Sequence, residues 1–209
     1  MFDPACRRCP RLSAYLTEIR SQYPAYFAQP VPAFGDHDPA LLIVGLAPGL
    51  HGANATGRPF TGDFAGILLY NTLFKYGFSN QDSSSSRTDG LCLTGCRITN
   101  AVKCVPPQNK PTSGEITTCN RYLYNEILGL KPDAIILALG GVAHNAVLKA
   151  LNLKIQAYKF AHGAEHDLPD NRLLVDSYHC SRYNTQTRRL TEKMFDTVFS
   201  RIRERLTAH

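Results

Sequence analysis

Four short apolar runs constrain the fold of this chain more than any other feature: Leu41–Val44, Arg97–Val102, Ala134–Leu139 and Arg172–Asp176. The first, third and fourth are nearly unbroken in apolar character, as expected of strands covered on both faces. Around them the apolar spacing becomes helical, near 10–22, 64–76, 115–129, 142–151 and 187–206. Thr112-Ser113-Gly114-Glu115 has the spacing of a capping box at the third of these helices. Strands alternating with helices predict an α/β fold: a three-layer α/β/α sandwich around a four-stranded parallel sheet. The 209 residues suit a single domain, taken as 1–209. A hydrophobic fraction of 44% is enough for a sizeable core and excludes a disordered or fibrous chain.

This topology says where function should sit. In open α/β sheets, ligands bind outside the carboxyl ends of the strands. There the chain places Gly45-Leu46-Ala47-Pro48-Gly49 after the first run, Asn100 in the second, Gly140-Gly141 after the third and His179 after the fourth. The stretch from Gly45 to Asp63 holds five glycines and two prolines, which would make a poor helix or strand. It matches neither the phosphate-loop nor the dinucleotide fingerprint. Such a long ordered connection points to a functional loop, with Asp63 also suited to cap a helix starting near Phe64. Ser79–Asp89, with its serine run, reads as an exposed loop.

The net charge of +6 is compatible with a polyanionic partner. Its concentration from Arg182 onward, seven Lys/Arg against three acids, equally fits a solvated helix face. Seven cysteines, an odd number, argue against a fully paired disulfide framework and for metal or redox use. Cys6-x2-Cys9 and Cys104-x14-Cys119 offer four thiolates for zinc or an iron–sulfur cluster, with Cys92-x3-Cys96 a competing pair. No run of about 18 apolar residues is present, and Met1-Phe2-Asp3-Pro4 does not open a secretory signal. The expectation is a cytoplasmic monomer with no membrane partner.

Taken together and in order, four segments resemble the uracil-DNA glycosylase superfamily, most closely its iron–sulfur family 5 (type B). They are Gly45–Gly49, Thr56–Asp63 (Thr-Gly-Arg-Pro-Phe-Thr-Gly-Asp), Ile98–Pro107 (Ile-Thr-Asn-Ala-Val-Lys-Cys-Val-Pro-Pro) and His179–Ser181 with Asn184–Thr187. The resemblance implies a monofunctional hydrolase for base excision repair. It would remove uracil, with hypoxanthine and other deaminated bases as further candidates, from DNA and leave an abasic site. It implies a structural [4Fe–4S] cluster on Cys6, Cys9, Cys104 and Cys119, leaving Cys92, Cys96 and Cys180 free. Phe60 is implied as the aromatic under the flipped base, Asn100 as the reader of uracil O4 and N3–H, and Ala47 and Gly49 as pocket wall. His179 would stabilise negative charge on the departing base, and Asp63 the sugar cation or the attacking water. Ser181, Arg182, Asn184 and Arg188 would grip phosphates.

Two positions depart from common superfamily patterns. Leu46 stands where many relatives carry an acid, which moves the acidic work to Asp63, and Cys180 stands where proline usually follows the histidine. Small residues at Gly52-Ala53 imply a roomy pocket. The competing readings are a non-catalytic, metal-containing nucleic-acid-binding module of the same fold and a zinc-stabilised nucleotide hydrolase.

Overall fold

The computed structural model describes residues 2–207; Met1, Ala208 and His209, which the one-domain and leader readings include, lie outside them. Six strands form one sheet: β1 (Phe34–Gly35), β2 (Leu41–Gly45), β3 (Cys96–Asn100), β4 (Ile135–Leu139), β5 (Glu165–Asp167) and β6 (Leu173–Ser177), in the order β1-β3-β2-β4-β6-β5. The inner four are parallel and are the four predicted strands, with boundaries moved by one or two residues. The sheet is wider than the expected four because β1 and β5 add short antiparallel edges.

Side-chain alternation divides each inner strand between two cores. Leu41 and Ile43 of β2 and Ile135, Leu137 and Leu139 of β4 face one core. There they meet α3 (Phe64–Lys75), which follows the one-turn α2 (Ala53–Thr56) inside the glycine-rich stretch, and α7 (Glu192–Thr207). Leu42, Val44, Ile136 and Ala138 face the other, against α4 (Ser113–Leu128) and α5 (Gly141–Ala150). Each fully buried Leu, Ile or Val contributes about 1.5–3 kcal/mol, and the three-layer arrangement follows.

The capping box forms as predicted. The Thr112 hydroxyl accepts from Glu115 N–H at 3.2 Å, and Glu115 accepts from Thr112 N–H at 2.8 Å. Arg11 of α1 (Pro10–Gln22) then sets its guanidinium fork on Glu115 at 2.7 and 2.6 Å, joining α1 to α4. The helix predicted over 187–206 is α7, which begins later, at Glu192. A short α6 (Arg182–Gln186), which was not predicted, precedes it and stops before Arg188, whose φ of 57° is left-handed. The serine loop is anchored rather than loose. Buried Arg58 reaches Asp89 at 2.7 Å, Ser84 Oγ at 3.0 Å and the Arg87 carbonyl at 3.0 Å.

The chain leaves β2 toward α3 on one face and β4 toward α5 on the other. The divergence opens a crevice at the carboxyl edge of the sheet. Among the described residues no helix is long and apolar enough to cross a membrane.

Candidate active site

A cavity of about 420 Å³ occupies this crevice and collects most of the predicted site: Ala47, Gly49, Phe60, Asp63, Asn100 and His179 all line it. Its size falls in the usual range for small-molecule sites, roughly 300–1,000 Å³. Asn100 arrives as the last residue of β3, opposite Gly45 at the end of β2. The two strand ends close tightly. A Cβ on Gly45 would lie 2.4 Å from Asn100 Oδ1 and 2.7 Å from the Phe60 ring, so only glycine admits both groups.

Phe60 is 5% exposed and sits at a φ of 55°, a left-handed conformation costing a bulky residue about 1–2 kcal/mol. Neighbouring contacts hold it there. The buried Tyr70 hydroxyl donates to the Pro59 carbonyl at 2.7 Å, and the Phe60 carbonyl packs where any side chain on Gly66 would have to be. The Phe60 and His179 rings stack at 27°, with centroids 5.8 Å apart.

Asp63 does two things at once. Oδ1 accepts from Gly66 N–H at 3.0 Å and caps α3, as its position predicted, while its side chain also faces the cavity. Burial raises its pKa above the usual carboxylate value, against the opposing effect of the Gly66 and Ala65 N–H groups. Gly52 packs on Asp63 instead of lining the cavity; of the Gly52-Ala53 pair only Ala53 does so. Burial among apolar neighbours lowers the His179 pKa to about 4, so the imidazole is neutral at ordinary pH.

The sequence reading missed Asn109, a second amide on the cavity wall. It follows β3 in a short turn where Gln108 and Asn109 both have a φ of 56°. Asn tolerates that conformation, but a polar residue in a polar turn carries no stronger signal. The proposed phosphate-gripping residues separate into two kinds. Arg182 and Arg188 are exposed, with the Arg182 guanidinium 5.1 Å from the Phe64 ring centroid at the cavity rim. Ser181 instead caps α6, accepting from Asn184 N–H at 3.4 Å, and the Asn184 side chain donates to the His179 carbonyl at 2.8 Å. A wider groove of about 970 Å³ continues from Asp63 and Phe64 along α3 to Ser83 and Thr191.

Cys6, Cys9, Cys104 and Cys119 converge on a small void beneath α1 and the start of α4, and all four are free thiols. Burial, then the neighbouring sulfurs, raise the Cys104 pKa to about 12. Burial also raises that of Cys119, to about 11, against Lys103 N–H, which donates to its sulfur at 3.3 Å. Four clustered sulfurs, one already accepting a backbone N–H, fit a positively charged thiolate-bound group. Cys92 is exposed, while Cys96 and Cys180 are buried in the core beside β2 and α7.

A separate buried network lies behind His179. Asp176 of β6 bonds His144 Nδ1 at 2.8 Å and His166 Nε2 at 3.2 Å, and His144 Nε2 meets the Tyr158 carbonyl at 3.0 Å. With an acceptor at each nitrogen, His144 is suited to be protonated. Burial lowers its pKa, but the Asp176 contacts and the Tyr158 carbonyl outweigh that and raise it overall.

The model of the uracil DNA glycosylase superfamily matches residues 32–203. A type-5 uracil-DNA glycosylase of Thermus thermophilus is 48% identical over 197 residues, covering 91% of this chain and 89% of that protein. A type-5 uracil-DNA glycosylase of Pyrobaculum aerophilum is 41% identical over 200 residues, covering 94% and 87%. A type-4 uracil-DNA glycosylase of Saccharolobus solfataricus is 31% identical over 174 residues, covering 80% and 74%. A family match over most of the chain, with relatives aligned nearly end to end, leads to one conclusion: the chain belongs to the uracil DNA glycosylase superfamily.

Proposed function

We propose that this protein is a monofunctional uracil-DNA glycosylase that hydrolyses the N-glycosidic bond and leaves an abasic site. The observation that carries the reading is the meeting of Phe60, Asp63, Asn100 and His179 in one cavity at the carboxyl edge of the sheet. Reaching that bond requires the nucleotide to leave the base stack. Phe60 then offers a ring face to the extruded base, and Asn100 pairs its amide with uracil O4 and N3–H, a pattern cytosine mismatches. Bond breaking builds negative charge on the base, which neutral His179 stabilises by donating a hydrogen bond near O2. Asp63, while capping α3, supplies a carboxylate oxygen for the sugar cation or for the attacking water. Asn109 gives the wall a second amide for the base or the water. Arg182 and Arg188 supply sequence-independent contact with phosphates.

Cys6, Cys9, Cys104 and Cys119 hold a [4Fe–4S] cluster in this reading, which supplies cross-linking of α1 to the segment after β3 rather than chemistry. Brown protein with iron and sulfide in cluster stoichiometry supports it; colourless protein with bound zinc overturns it. The cavity volume supports a range that extends to hypoxanthine. The deciding experiment is excision from labelled oligonucleotides carrying uracil, hypoxanthine or thymine, followed by alkali at the abasic site. Cleavage at uracil is expected. Intact DNA binding by folded, cluster-loaded protein without any cleavage would instead favour a non-catalytic DNA-binding module.

A further inference from the structure

We infer that Asn184 is a positioning residue for His179, acting through the backbone carbonyl rather than on DNA. The inference rests on the reading of His179 as the group facing the departing base. His179 needs outside help to hold its aim. Among the described residues neither ring nitrogen has a hydrogen-bond partner, and the ring's aromatic contact is the offset stack on Phe60. The next residue, Cys180, has no pyrrolidine ring to fix φ, so the peptide lacks the stiffness a proline would give. The chain meets this with two anchors. Cys180 is fully buried in the core beside β2 and α7. Four residues further on, the Asn184 side-chain amide returns to donate to the His179 carbonyl at 2.8 Å.

Asn184 is itself fixed. Its N–H donates to Ser181 Oγ at 3.4 Å, and its carbonyl accepts from Leu190 N–H at 3.0 Å, the residue that enters the core ahead of α7. The result is a closed loop in which α6 sets the plane of the His179 peptide and so the direction of its side chain. An amide occupied in this way has one remaining N–H, which makes phosphate binding a poor description of its role.

The test measures single-turnover excision and DNA affinity for Asn184→Ala, Asn184→Asp, His179→Ala and the double variant His179→Ala/Asn184→Ala. Asn184→Asp keeps the shape but presents a carboxylate that cannot donate to a carbonyl. Both Asn184 variants are expected to lose about tenfold in excision rate. Their DNA affinity and its salt dependence should match the parent, and in the His179→Ala background the second change should add nothing. Weaker binding with a shallower salt dependence, or an undiminished rate in Asn184→Asp, overturns the inference. A further rate loss in the double variant also overturns it, because Asn184 would then act independently of His179. If His179→Ala alone keeps the full rate, the reading of the site falls and this inference with it. If His179→Ala is slow and Asn184→Ala is not, only the positioning role falls.

Discussion

Two side chains on the cavity wall have pKa values moved in opposite directions by the same cause. Burial raises Asp63 and lowers His179, in each case favouring the neutral form. With Asp63 working ionised and His179 working neutral, the excision rate should fall as pH drops through the raised Asp63 pKa. His179 itself should contribute no limb near the ordinary histidine value of about 6.5. Single-turnover rates across the pH range check this, and a rate that does not fall on the acid side would overturn the ionised role of Asp63. Asn100→Ala or His179→Ala should lower excision by about 100-fold or more while leaving DNA affinity near that of the parent. Paired kinetic and binding measurements separate these effects, and full activity in both variants would move the site elsewhere.

Among the elements, the Arg58–Asp89 pair is the strongest case of a contact hidden from sequence. Both side chains are nearly buried, at 5% and 8% exposure. Burial alone would raise the Asp89 pKa, but Arg58 and the N–H groups of Leu91, Ser86 and Ser85 hold it well below the usual range. Arg58→Ala leaves that carboxylate without its cation and should cost up to about 3–5 kcal/mol, with Arg58→Ala/Asp89→Ala costing less than the sum of the singles. Denaturant melts of the three variants measure it. Nothing local marks this pair, since its members lie 31 residues apart and Asp89 ends a loop that reads as polar and exposed. Three of the inner strands were legible because nearly continuous apolar runs have few other uses, and β3 through its place between helical segments. The edge strands were not, because Phe34–Gly35 is too short for a pattern and Glu165–Asp167 is wholly polar. The short α6 was missed for a similar reason: Arg182–Gln186 shows no apolar period, and its start depends on the Ser181 cap. The cavity residues could be read because glycine-rich and strand-end positions have known uses, whereas Asn109 arrives through a turn with no such mark.

For the whole molecule, the His144–Asp176–His166 network links α5, β5 and β6 at one buried point. A histidine whose folded pKa is raised contributes stability that is fully present below its unfolded pKa of about 6.5. That contribution is lost as pH rises through the folded value. The stability difference between the parent and His144→Asn should therefore be largest below about pH 6.5 and shrink as pH rises through the raised folded value. Melting curves at each pH test it, and a difference that grows as pH rises would contradict the assignment.

The conformation of Phe60 has a consequence for timing. The fold's own contacts, through Gly45, Gly66 and the Tyr70 hydroxyl, hold that ring in a disfavoured backbone geometry. A receptor finished in advance has little rearranging left to do when a base arrives. For a DNA substrate the expected limit on capture is then the opening of a base pair rather than a rearrangement at Phe60. A mismatched or weakly paired lesion would be taken up sooner than the same base in a sound pair.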